Sequence, residues 1–144
     1  MIVAGYKVHR YHDISCGHRV HGHEGKCRNL HGHNYRIHFT CVAEDGALDG
    51  VGRVIDFSQI KAKLCMWIEE HWDHRFLIWE EDPMKSHLLE LDPTVVVVPF
   101  NPTAENIAQY LVEVVGPAQL AGTGIKLSEV MVEETRKCFA SYGV

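Results

Sequence analysis

Gly32-His33-Asn34-Tyr35-Arg36-Ile37-His38-Phe39-Thr40-Cys41-Val42-Ala43-Glu44 is the stretch on which the fold turns. Tyr35, Ile37, Phe39, Cys41 and Ala43 alternate with Asn34, Arg36, His38 and Thr40, the period-two pattern of a strand with one buried and one wetted face. Asp45, Gly46 and Gly50 supply turn chemistry after it. Upstream, Tyr6 to His18 is rich in Val, Tyr and Ile and reads as a partner strand, with Gly22 and Gly25 marking the loop between the two.

Downstream the period changes. Asp56 with Gln59 resembles a capping box, and Ile60, Leu64, Trp67, Ile68 and His71 follow at helical spacing, which predicts a helix from Phe57 to Trp72. The acidic stretch Ile78 to Asp92, bounded by Pro83 and Pro93, reads as loop-rich, and Thr94 to Val98 as a short buried strand. A second helix is expected to begin near Asn101-Pro102-Thr103, to turn Ile107, Tyr110, Leu111, Val114 and Val115 inward, and to stop by Gly116-Pro117. Ile125 to Glu134 and Cys138 to Tyr142 read as third and fourth strands. The order ββααββ, hairpin strands with the helices segregated between them, implies an α+β protein with an antiparallel sheet. At 144 residues the expectation is a single domain over 1–144.

The composition narrows the function. A net charge of −5 argues against nucleic-acid binding, and the longest aliphatic run, Val95 to Val98, is too short for a membrane span. Met1 to Tyr6 has no basic and apolar leader pattern. The five cysteines include no C-x-x-C pair, so a cytoplasmic protein without a disulfide framework is expected. The distribution is uneven: residues 1–40 carry +4 and the remainder −9. Eight of the eleven histidines lie in the first 38 residues. A cationic, imidazole-rich segment suits an anionic small ligand beside a metal.

His31 and His33 open the second strand on one face, with Cα atoms roughly 6.5–7 Å apart, so both imidazoles can reach one ion at about 2.0–2.1 Å. The third ligand is sought among His12, His18, His21 and His23, and His18 at the end of the first strand is the natural candidate. Three neutral imidazoles and one open position describe a catalytic zinc site. A non-catalytic metal-storage tract is the competing explanation.

Cys41 and Cys65 look structural, and Cys16 lies two residues before His18. Cys27 stands apart, in a glycine-containing loop between Lys26 and Arg28, where flanking cations and a nearby metal favour its thiolate. Asp73-His74 can relay protons, with the Asp orienting the imidazole, or can be an ordinary helix C-terminus. Val130, Val132 and Glu134 share one strand face. A carboxylate there can accept two parallel bonds from a guanidinium-like ligand edge, or can be a solvated strand end.

Together these residues resemble the 6-pyruvoyl tetrahydropterin synthase family, in particular its bacterial carboxy-forming branch. The matching segments include Gly17-His18-Arg19-Val20, Lys26-Cys27-Arg28-Asn29-Leu30-His31-Gly32-His33-Asn34-Tyr35, Val54 to Lys61, Trp72-Asp73-His74, Asn101 to Asn106 and Val132 to Thr135. The resemblance implies the tunnelling fold, a four-stranded antiparallel sheet with two helices on one face, and one Zn2+ per subunit on His18, His31 and His33. It implies a catalytic relay of Cys27, Asp73 and His74, a pterin anchor at Glu134 and a further pterin contact at Thr103. It implies a homohexamer, a dimer of trimers with sites between subunits, and conversion of 7,8-dihydroneopterin triphosphate to 6-carboxy-tetrahydropterin, acetaldehyde and triphosphate in 7-deazaguanine (queuosine) biosynthesis. The spacing Cys27-x3-His31 looks like the carboxy-forming enzymes rather than the pyruvoyl-forming ones. Two features depart from the family pattern: Cys16-Gly17 before the first zinc histidine, and a longer segment from about Ile78 to Phe100.

Overall fold

In the computed structural model, which describes residues 4–143, strand β1 (Val8–His18) pairs antiparallel with β2 (His31–Ala43), from Val8 opposite Cys41 to His18 opposite His31. Between them a single 3-10 turn, Lys26–Arg28, interrupts the loop. On the far side of β2 lies β5 (Ile125–Glu133), antiparallel, with an irregularity between Thr40 and Cys41, and β6 (Phe139–Gly143) closes that edge.

The other edge differs from the four-stranded antiparallel sheet that the sequence suggested. Two short strands, β3 (Phe76–Trp79) and β4 (Val96–Val98), add to β1 in parallel, giving a six-stranded mixed sheet in the order β4-β3-β1-β2-β5-β6. Strands buried in a parallel edge show no alternation, and four apolar residues ahead of an acidic, proline-marked stretch resemble a loop. That stretch also holds a short helix, α2 (Lys85–Leu91), whose buried residue is Leu88. Gly17 makes the addition of β3 feasible: a Cβ there would lie 2.5 Å from the Phe76 ring.

Both long helices cover one face of the sheet. Helix α1 spans residues 57–71 and starts where the Asp56 carboxylate accepts the Ser58 N–H at 2.9 Å. Helix α3 spans residues 104–119 and is capped by Thr103, whose hydroxyl accepts the Asn106 N–H at 3.1 Å. It does not stop at Gly116-Pro117. A π-helical turn over Leu111–Val115 widens the backbone ahead of Pro117, so the missing N–H and the ring are accommodated. Gly116 lets the helix lie close on β5, because a Cβ there would sit 2.8 Å from Leu127 Cδ2. Helix α3 also buries Val112 rather than Val114, which is half exposed.

The core forms between these helices and the inward residues of the sheet. Ile14, Tyr35, Ile37, Phe39, Val130 and Val132 meet Ile60, Leu64, Ile68, Ile107 and Leu111, all at most a few per cent exposed. Full burial stabilises by about 1.5–3 kcal/mol per large aliphatic or aromatic side chain. Packing on the sheet therefore holds α1 and α3 in place more than helix propensity does. Among the described residues, no helix is long and apolar enough to cross a membrane.

Candidate metal centre and the adjoining cavity

The inward parity of β1 and β2 that buries Ile14 and Ile37 continues to the end of the pair, where it turns three histidines to one place. His18 and His31 are register partners and His33 opposes Cys16. The ring centroids lie 4.5 Å (His18–His31), 5.1 Å (His18–His33) and 5.0 Å (His31–His33) apart, and one nitrogen from each ring falls within 4.8 Å of the others.

Second-layer bonds leave the right atoms free. His18 Nδ1 donates to the Pro102 carbonyl at 2.7 Å, and His31 Nδ1 to the Asn29 carbonyl at 2.7 Å. Each bond fixes the tautomer that keeps the Nε2 lone pair available. His33 Nε2 is buried without a hydrogen-bond partner, although the Glu134 carboxylate lies 3.3 Å away. Burial lowers the His18 pKa to about 4 against the raising effect of the Pro102 bond. Burial also lowers that of His33 despite Glu134. Near neutral pH both rings are the neutral, ligating form. A buried nitrogen with no partner, in a trio of converging imidazoles, is the donor set a zinc ion takes. Tyr35, two residues after His33 on the same face, floors the trio. Its hydroxyl is 3.1 Å from His18 Nδ1, and burial holds its phenol far above the usual range.

A cavity of about 970 Å³ opens beside His33, and its lining includes Asp73, His74, Glu134, Arg36 and Arg136. Asp73-His74 lies past the end of α1 and is not a simple helix terminus. The Asp73 carboxylate accepts the Ser15 N–H at 2.8 Å, the His74 N–H bonds the Ser15 carbonyl, and His74 adopts φ 59°. A left-handed histidine is strained, and here two bonds to β1 hold it. His74 Nδ1 donates to Asp73 at 2.9 Å, leaving Nε2 toward solvent on an exposed ring. Burial alone would raise the Asp73 carboxyl, but the bonds from Ser15 and His74 outweigh it and keep the group ionised.

Glu134 follows β5 with the parity of Val130 and Val132, whereas Glu133 faces the opposite side and meets His38 Nε2 at 3.1 Å. The structure thus gathers His18, His31 and His33, and sets Asp73, His74 and Glu134 around a cavity that His33 shares. It leaves two expected residues apart. Cys27, half-buried in the 3-10 turn, and Thr103, the α3 cap, are not among the residues lining that cavity. His12, His21 and His23 stay outside the trio: His12 bonds Glu69, His21 meets Arg19 and His23 accepts the Gly25 N–H. Cys16 is buried beside the centre, and burial, with Asp73 and Glu134, pushes its thiol up to about 12. The place of Tyr35 beneath the histidines and the left-handed backbone of His74 are the features that the sequence does not announce. Parity with His33 pointed to Tyr35 as inward-facing, but no sequence signal marks a left-handed histidine.

Residues 7–143 match the family model for 6-pyruvoyl tetrahydropterin synthase. The 6-carboxy-5,6,7,8-tetrahydropterin synthase of Rickettsia felis is 34% identical over 135 residues, covering 92% of this chain and 96% of the relative. Among solved structures, an uncharacterized protein from Wolinella succinogenes superposes with TM-score 0.82 at 28% identity, covering 96% of this chain and 97% of that one. The 6-pyruvoyl tetrahydropterin synthase of Caenorhabditis elegans shares the fold, with TM-score 0.68 at 23% identity and coverage of 96% and 95%. With its family model matched almost end to end, the chain belongs to the 6-pyruvoyl tetrahydropterin synthase family and is an enzyme of the lyase type.

Proposed function

We propose that this chain is a zinc-dependent 6-carboxy-5,6,7,8-tetrahydropterin synthase, converting 7,8-dihydroneopterin triphosphate to 6-carboxy-tetrahydropterin, acetaldehyde and triphosphate. The observation that carries the reading is the convergence of His18, His31 and His33, with an unpartnered His33 Nε2, beside a cavity lined by Glu134 and the Asp73-His74 pair. The names of the relatives and the Cys27-x3-His31 spacing support the carboxy-forming reaction.

His18, His31 and His33 hold one zinc ion per subunit, which supplies Lewis acidity to the hydroxyls of the substrate side chain. Glu134 anchors the pterin by accepting two N–H bonds, and Thr103 adds a contact from the start of α3. Cys27 moves one side-chain proton. His74, oriented and charge-stabilised by Asp73, exchanges another at its free Nε2. Because Cys27 does not line the cavity of Asp73 and His74, we read the relay as completed between subunits of a homohexamer, a dimer of trimers. The enzyme then works in the cytoplasm on the way to queuosine, as one domain with no nucleic-acid or membrane partner.

One incubation tests this. Purified zinc-loaded protein with 7,8-dihydroneopterin triphosphate is expected to yield the 6-carboxy product by mass and equimolar acetaldehyde. A 6-pyruvoyl product without acetaldehyde assigns the chain to the other branch. No turnover, with several weakly held metal ions per chain, would make it a histidine-rich metal-binding protein.

A further inference from the structure

Arg19 and Asp82 form the most buried ion pair among the described residues. The Asp82 side chain is fully buried, and Arg19 Nε donates to its Oδ2 at 2.7 Å. We propose that Arg19 and Asp82 are positioning residues that hold the Cys27 loop in register with the histidine centre, and that this is what the longer segment 78–100 contributes to the site. The proposal rests on the reading of Cys27 as the proton-moving thiol.

The loop between β1 and β2 has little to hold it by itself. Its 3-10 turn buries no side chain, and Leu30 is half exposed. Its internal bonds are short-range: Val20 N–H to the Cys27 carbonyl at 2.8 Å, and Asn29 N–H to the Lys26 carbonyl at 2.9 Å. Without buried apolar anchors, such a segment is held by directional polar contacts from outside.

Arg19 supplies them. Beyond Asp82, its guanidinium donates to the Arg28 carbonyl at 3.0 Å and lies 3.2 Å from His21 Nδ1. Arg28 is the residue after Cys27, and Val20, which bonds the Cys27 carbonyl, is the residue after Arg19. The thiol-bearing turn is therefore braced from both sides by one side chain and its neighbour.

Asp82 is the fixed end. Its Oδ1 accepts the Met84 N–H at 2.9 Å, and its own N–H bonds the carbonyl of Trp79, the last residue of β3. β3 pairs with β1 at Gly17 and His18, so the anchor and the zinc histidine belong to one rigid edge. Burial alone would raise the Asp82 carboxyl, but Arg19 and the Met84 N–H outweigh it and keep the group charged. A planar guanidinium can satisfy three acceptors in fixed directions, which a lysine cannot. Just past that segment the loop is tied a second time, where the Asn101 side-chain amide brackets the N–H and carbonyl of His21 at 3.1 and 2.9 Å.

The test compares D82N, D82E, R19K and C27A in the zinc-loaded protein with 7,8-dihydroneopterin triphosphate. D82N and R19K are expected to keep one zinc per chain and a KM within about twofold, while kcat falls about 10- to 100-fold, the scale of an ångström-level misplacement. D82E, which keeps the carboxylate, is expected to recover most of the loss. Backbone hydrogen exchange over residues 19–30 is expected to accelerate in D82N and R19K and to return toward wild type in D82E. Should D82N fail to fold, R19K, which retains the charge pair, reads the same parameters. A kcat within about twofold of wild type in the folded variants overturns the proposal, as does a loss that tracks zinc content. Full turnover in C27A instead sinks the reading of Cys27 and the proposal with it, and unchanged exchange over 19–30 in both variants sinks the clamp alone.

Discussion

The two faces of the β1–β2 pair carry the same residue type in different environments. On the inward face His18, His31 and His33 converge, and a nitrogen of His33 has no partner. On the outward face His9 meets the Thr40 hydroxyl at 2.9 Å and His38 meets Glu133 at 3.1 Å, so each ring is individually satisfied. The number of histidines therefore says little about a metal centre. Strand parity sets His9 and His38 apart, because one residue of shift moves a side chain through the sheet, whereas His12 shares the inward parity and is instead paired with Glu69 of α1, away from the cluster.

The largest effect expected from this contrast is on metal content. His33→Ala removes one of the three proposed ligands and should leave a folded protein without tightly bound zinc, whereas His38→Ala on the opposite face should retain one zinc per chain. Metal analysis of the two purified variants makes the comparison. Equal zinc in both would break the assignment of the inward face.

Next come Glu134 and Glu133, adjacent in sequence and on opposite faces. With Glu134 as the proposed pterin anchor, Glu134→Gln puts a donor in place of an acceptor and should cost roughly 2–4 kcal/mol, or about 30- to 1,000-fold in substrate affinity. Glu133→Gln loses a half-exposed contact with His38 and should change affinity little. Zinc content should hold in both, since all three histidines remain. A larger loss at Glu133, measured by equilibrium pterin binding, would reverse the inward assignment of this strand.

The inward face was also the part most legible in the sequence. Alternation in β2 placed Tyr35, Ile37, Phe39 and Cys41, and the same period carried back to His31 and His33. The spacing of Ile60, Leu64 and Ile68 gave α1 its buried stripe. The edge around β3 was not legible. Phe76–Trp79 has no alternation, and its pairing with β1 depends on Gly17, a long-range condition that local patterns do not encode. Helix α3 hid its end because a π-helical turn absorbs Pro117. The site was legible in residue type but not in arrangement: parity brings the histidines together, whereas the strain at His74 and the Arg19–Asp82 pair are tertiary contacts between distant segments.

The smallest effect expected is a pH slope produced by His18 and His33. With its pKa lowered to about 4 in the fold, His18 is neutral there, while the unfolded chain binds a proton below the ordinary histidine value of 6.5. Between those values the unfolded state holds more protons, so stability is complete above about pH 6.5 and declines as pH falls toward 4. For His18 alone the loss between about pH 7 and 5.5 amounts to about 1 kcal/mol, and His33, shifted in the same direction, adds to it. Urea unfolding of chelator-treated protein measures the slope without competition from metal. His18→Gln keeps a donor for the Pro102 carbonyl but does not titrate, and it should flatten the slope by about that amount. An unchanged slope in His18→Gln would mean that this ring is solvated in the metal-free protein, and that the three histidines come together only when the ion is bound.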